Sequence, residues 1–221
     1  MLALILFCVL LFVVIFVIYS LVVTGRSSIL SGTIDLNIAN PLIKIDQPNA
    51  TRSTIGVWIK VISWNIMEEK VIYLIPNKIK LYLGASSPTL SVDIYTNDAV
   101  PKTVVITYNF PLQKWTQICV SLDNAFVDCY IDGKFIKSIQ LLSPQKTNED
   151  ANIYVGGNPT VKSDIMLSTL KRWLVPQTPS NIYNEYLRGN GNYFFSNSFS
   201  AYGLNLSVIK DNISTGSLKL M

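Results

Sequence analysis

From Thr33 onward the chain is written in short runs in which apolar and polar residues alternate. They are Thr33–Ile38, Thr54–Ile62, Lys70–Ile75, Lys78–Leu83, Thr89–Tyr95, Thr103–Tyr108, Thr116–Leu122, Phe126–Ile131, Lys134–Gln140 and Asn152–Val155. A period of two sends successive side chains to opposite faces of an extended strand. Valine, isoleucine and tyrosine dominate the runs, as a half-buried pleated surface requires. Turn-forming groups separate them: Gln47-Pro48-Asn49, Pro76-Asn77, Ser87-Pro88, Asn97-Asp98 and Asp132-Gly133. Many short strands at near-regular spacing predict an all-β, antiparallel sandwich or barrel. One helix is predicted after Thr178, which suits an N-cap, with Pro179 at the first helical position and Gly189 as C-terminal stop. Beyond it, Tyr202, Leu204, Leu206 and Val208 alternate. They predict a final strand, which closes the sandwich or forms an arm that pairs with another chain's sheet edge.

A different pattern precedes the strands. Met1 to Val23 reads MLALILFCVLLFVVIFVIYSLVV and holds no charged side chain. About 22 residues at ~1.5 Å each give ~33 Å, enough for a ~30 Å hydrocarbon core. In lipid such a segment satisfies its backbone as a helix. A cleaved signal peptide calls for a basic start, a shorter apolar core and a small-residue cleavage site. The first side-chain cation is instead Arg26. The expectation is therefore a retained, single-pass transmembrane helix over 1–23. A Gly/Ser-type linker follows over 24–32, then a sandwich over 33–191 and a tail over 192–221. Arg26, with Lys44 further on, places the domain on the cytoplasmic side by the positive-inside rule. The sequons at Asn49, Asn205 and Asn212 match the number that chance gives in so Asn-, Ser- and Thr-rich a chain.

Composition narrows the chemistry. Mean hydropathy is +0.34, and the N-terminal segment accounts for much of that. The net charge of +4 comes without a Lys/Arg run or basic stripe, so no nucleic-acid footprint is present. The chain has no histidine, which removes the usual general base and the Ser-His-Asp arrangement. Glycoside hydrolysis needs two carboxyl groups flanking one bond. Glu68 and Glu69 are adjacent and would face opposite sides of a strand, and the other glutamates are Glu149 and Glu185. The sequence thus predicts no catalytic residues, and a non-enzyme. Asn148-Glu149-Asp150 offers the oxygen ligands calcium prefers, but it reads as a solvated turn. No metal and no cofactor are expected.

The stretch WTQICVSLDNAFVDCYIDGK, Trp115 to Lys134, predicts a three-stranded meander. Asp132-Gly133 suits a type I′ turn. If Leu122 pairs with Phe126 across a three-residue loop, Cys119 lies opposite Cys129. Their Cα atoms would then stand roughly 4.5–5.5 Å apart, within reach of a disulfide. The alternative is two reduced thiols in the core, since free cysteine is among the most buried residue types.

The same stretch carries a resemblance. Trp115, the strand Ile118-Cys119-Val120 and the hairpin Tyr130-Ile131-Asp132-Gly133 resemble the signature of the concanavalin A-like lectin/glucanase superfamily, in its laminin-G/pentraxin-like branch. The Trp58 strand Ile55–Lys60 and the strand end Val155-Gly156-Gly157 resemble further parts of that pattern, as do Leu170–Trp173 and Ile182–Tyr186. Ile165-Met166-Leu167 lacks a glycine that the family often carries before its last strand, which touches the local register. The resemblance implies a jelly-roll β-sandwich with Trp58, Trp115 and Trp173 in packed positions. It leaves Trp64, beyond its strand, as a platform for a glycan or a partner. An apolar anchor followed by such a sandwich also resembles membrane-anchored minor capsid proteins of large DNA viruses of algae. That implies a structural role linking an internal viral membrane to neighbouring capsid proteins, with the domain facing the capsid. The rival role is a membrane-tethered, lectin-like glycan-binding or adhesion domain.

Overall fold

The computed structural model describes residues 10–12, 14–15, 28–39, 41–64, 68–147, 150–157 and 164–190, and the backbone of 204–210 and 213–220. Strands β1 (Ser28–Asp35), β3 (Arg52–Val61), β8 (Thr116–Asp123), β9 (Phe126–Ile131), β10 (Lys134–Gln140) and β12 (Ile165–Trp173) form one sheet, in the order β1-β12-β3-β8-β9-β10. The second sheet has the order β2-β11-β4-β5-β6-β7. It comprises β2 (Leu42–Lys44), β4 (Lys70–Ile75), β5 (Ile79–Leu83), β6 (Leu90–Ile94), β7 (Lys102–Thr107) and β11 (Asn152–Val155). Every pairing is antiparallel. Strand β1 begins at Ser28, inside the stretch read as linker.

Alternation builds the core between the sheets. Ile79, Leu81 and Leu83 of β5 are buried and meet Ile55, Val57 and Ile59 of β3, and Ile118, Val120 and Leu122 of β8, in one cluster. Each such side chain contributes about 1.5–3 kcal/mol by leaving water. Between them on β5, Lys80 and Tyr82 are only partly buried. On β3 and β8 the intervening residues are buried as well, because something covers the outer side of that sheet. The cover is helix α1 (Pro179–Leu187). Thr178 Oγ1 caps it by accepting from Asn181 N at 3.3 Å. Its chain then leaves through Gly189 at φ +77°, a conformation glycine adopts without strain.

One register differs from the sequence reading. Asp123 pairs with Phe126 across a two-residue turn, with Asn124 at φ 52°. Val120 therefore faces Cys129, and Cys119 faces Tyr130. A slip of one residue moves a side chain to the other face of the sheet. Both cysteines are free and buried, on opposite faces, so the cross-strand disulfide does not form. Asn124 is the physical reason: Asn tolerates the left-handed conformation that a two-residue turn demands.

In β12, where the missing glycine touched the local register, the pairing is irregular. The pairing with β3 shifts between Ser168 and Lys171, around Thr169 at φ 44°. This bulge adds one residue and reverses the alternation. Leu167 lies in the core before it and Leu170 after it, which leaves Lys171 and Trp173 on the outer side.

The tail forms a strand over the expected residues, but that strand does not close the sandwich. β13 (Leu204–Lys210) and β14 (Ile213–Leu220) form their own two-stranded sheet and add to neither layer. Among the described residues no helix is long and apolar enough to cross a membrane. The expected anchor over 1–23 lies outside the described residues apart from Leu10–Phe12 and Val14–Ile15, which are helical.

Candidate functional site: the helix-covered face

The outer face of the first sheet is a second, smaller interior. Cys119 on β8 and Tyr130 on β9 are buried beneath Ile182 of α1. Trp58 of β3 stacks on Tyr186, with ring centroids 5.7 Å apart and planes 13° from parallel. Trp173 lies over Gly56, where an added Cβ would come within 3.1 Å of its ring. An ion pair from Lys171 on β12 to Glu185 fixes the helix along its length, and Arg188 joins the same carboxylate at 3.1 Å.

The Asp132-Gly133 turn is built for this contact. Its residues have φ 49° and 72°, the two positive values that a type I′ turn requires, and it joins Ile131 to Lys134. A Cβ on Gly133 would come within 3.0 Å of both Tyr183 and Tyr186, so only glycine lets α1 lie this close. Asp132 ties the turn to β8 by accepting from Gln117 N at 3.0 Å and from Lys114 Nζ at 3.0 Å. The hydrogen bond and charge of Asp132 hold the Lys114 ammonium above its usual pKa.

The motif residues separate into groups. Trp58, Tyr130, Asp132 and Gly133 converge under or beside α1, and Trp115 is half-buried next to Thr116 at the start of β8. Gly156 and Gly157 belong to the other sheet. Gly157, at φ +67°, sits against Val71, where a Cβ would approach to 2.7 Å. Trp64 is half-buried against the main core, with Lys70 Nζ 4.2 Å from its ring centroid. A lysine thus occupies one face of the proposed platform. In the acidic turn Asn148-Glu149-Asp150, Asn148 and Glu149 lie outside the described residues. Asp150 accepts from Asn152 and from Tyr154 Oη. Among the described residues no group of three metal-ligating side chains gathers.

Sequence reasoning missed the margin of this face. Phe126 and Phe135, at opposite ends of the β9–β10 hairpin, are 51% and 54% exposed, and Ile136 and Tyr183 are exposed as well. Phe135 meets the buried Tyr130 edge-on, at 5.6 Å and 72°. The available signal was Phe126, Tyr130 and Phe135 on one side of a hairpin. Strand β10 also carries Lys134, Lys137 and a bulge between Phe135 and Lys137, features that keep an edge strand from recruiting another strand. The margin therefore presents side chains rather than free backbone.

No nucleophile is activated here. Burial pushes the Cys119 and Cys129 thiols up to about 12, so both stay protonated and inert. On the second sheet's outer face, Asp93 accepts from Thr103 Oγ1 at 2.7 Å and Tyr82 Oη at 3.2 Å. Burial and Asp93 raise the Tyr82 phenol to about 12. Lys80 pairs with Glu69 at 2.6 Å and lies 4.4 Å over the Tyr82 ring. This network satisfies itself.

Known proteins share this architecture. The binding domain of Paraclostridial Mosquitocidal Protein 1 superposes with a TM-score of 0.57 at 15% identity, covering 73% of this chain and 45% of that one. The botulinum neurotoxin serotype D binding domain gives 0.59 at 14% identity, covering 73% and 44%. A botulinum neurotoxin type C structure, whose cell entry depends on two ganglioside molecules, gives 0.54 at 15%, covering 66% and 39%. The chain thus spans less than half the length of these structures, and at such identities the likeness is one of fold. No curated protein sequence matches the chain. A laminin-G family model does match over residues 39–170, more than half of the chain, and with the two-layer sandwich it makes this protein a member of the concanavalin A-like lectin/glucanases superfamily.

Proposed function

We propose that this chain is a non-enzymatic contact module, a laminin-G-like sandwich held at a membrane by its apolar residues 1–23. It meets a macromolecular partner through the apolar margin of Phe126, Phe135, Ile136 and Tyr183. The exposed aromatic residues carry the reading: Phe126 and Phe135 stand on the same side of the β9–β10 hairpin, Phe135 against the buried Tyr130, and both remain more than half exposed. In a virion the module would link the internal membrane to neighbouring capsid proteins as a minor capsid protein. Cross-linking mass spectrometry on native particles and membranes tests this. Capsid-protein cross-links near Lys134 and Lys137 support the linking role. Their loss in a Phe126→Ser/Phe135→Ser variant of unchanged thermal stability supports the margin as the contact. Equal cross-linking by that variant sinks it.

A second reading is a tethered lectin-like or adhesion domain, favoured by the fold shared with a ganglioside-dependent neurotoxin structure. Half-exposed Tyr183 and Tyr186, 6.2 Å apart beside Lys114 and Asp132, supply the aromatic and polar groups that sugar binding uses. Flotation of the full-length protein with ganglioside-containing vesicles, against ganglioside-free ones, separates the readings. Retention that Tyr183→Ala abolishes favours the lectin.

A further inference from the structure

At one end of the sandwich, two cations are enclosed between the sheets. Lys78, in the turn just before β5, is 4% exposed; Arg172, near the end of β12, is 6% exposed. Burial, and after it the charge of Arg172, lower the Lys78 pKa. Among the described residues neither forms an ion pair. The exposed Asp46 carboxylate acts on Arg172 only at a distance, while the guanidinium donates to the Asp46 and Gln47 carbonyls at 2.6 and 2.8 Å. Its Nε is buried with no partner. Gln145 lies at the same end: it bridges Thr96, next to Tyr95, whose N–H donates to the Lys78 carbonyl at 3.0 Å.

This placement is costly. Two like charges lose their hydration and repel. The chain also puts Arg172 inside by means of the Thr169 bulge, a β-branched residue held at φ 44° with a buried, unpartnered hydroxyl. Strain of this kind gathers at ligand clamps. We propose that the Lys78–Arg172 end of the sandwich binds a small inorganic anion of chloride size, held by the free guanidinium Nε–H and the lysine ammonium. The low exposure of both side chains excludes an extended ligand. The anion would cancel the repulsion and lock loop 46–47 to β12.

The test is thermal unfolding of the full-length chain in detergent micelles, in sodium chloride against sodium gluconate at fixed ionic strength. Chloride and bromide should raise the melting temperature by a few degrees and then saturate, because a ligand bound only by the folded state stabilises it by mass action. Lys78→Met and Lys78→Gln should abolish the chloride-dependent rise. Identical melting of the unaltered chain in both salts would overturn the site and show that water fills the gap. So would a full chloride response in either variant. The comparison on the unaltered chain stands even if both variants fail to fold.

Discussion

The outer faces of the two sheets start from the same alternating pattern and end differently. On the second sheet the outward residues of β5 and β6 are polar, and Lys80, Tyr82 and Asp93 satisfy one another beside solvent. On the first sheet the outward residues of β3, β8 and β9 include Gly56, Trp58, Cys119 and Tyr130, which need a cover. Helix α1 supplies it. An antiparallel sheet with one solvated face alternates cleanly, whereas one covered on both sides reads as continuous burial. The first sheet therefore depends on a segment made after its last strand, and the second does not.

The widest effect expected is alkaline. The Cys119 and Cys129 thiols are raised in the folded state from about 9 to about 12. The folded protein thus holds protons that the unfolded chain releases, and their stabilisation, full below about pH 9, is lost as pH rises through about 12. Chemical denaturation at a series of pH values should show stability falling across that window. Cys119→Ala and Cys129→Ala should each flatten part of the fall. An unchanged slope in the Cys119 variant would mean that α1 does not seal its side.

Ile182→Asp comes next. It places a carboxylate against Cys119 and Tyr130 and should cost about 3–5 kcal/mol, or detach α1. Thiol labelling should then reach Cys119 well before Cys129; equal rates would show that the helix is no separate cover. On the open face, Asp93→Ala removes the acceptor of Thr103 and Tyr82 and should cost about 1–2 kcal/mol by urea titration, with neither thiol exposed. A loss as large as that of Ile182→Asp would erase the contrast between the faces. The smallest effect belongs to Arg52→Ala. Its pair with Asp123 is largely solvent-exposed, and the change should stay within about 0.5 kcal/mol.

The sandwich was legible because its period of two runs through nearly every strand, and the helix because Thr178, Pro179 and Gly189 mark its ends. The face assignments within the first sheet turn on one physical cause. Loop length and bulges set which face a residue occupies, and they depend on single left-handed residues, Asn124 and Thr169. Asn124 is a recognisable turn former that shortens the loop by one. Thr169 carries no such mark, since β-branched residues avoid that conformation, so neither the bulge nor the burial of Arg172 could be read in advance. The four motif residues that converge under α1 came from the resemblance. The aromatic margin did not, because exposure belongs to the assembled surface and not to any local pattern.

The meander of β8 and β9 has a consequence for where this domain can work. Its two thiols sit on adjacent strands yet are partitioned by the sheet itself. Oxidant cannot join them and reductant has no bond to cut. The sandwich carries no covalent lock keyed to a compartment, so its fold makes no demand on the redox poise of either side of a membrane.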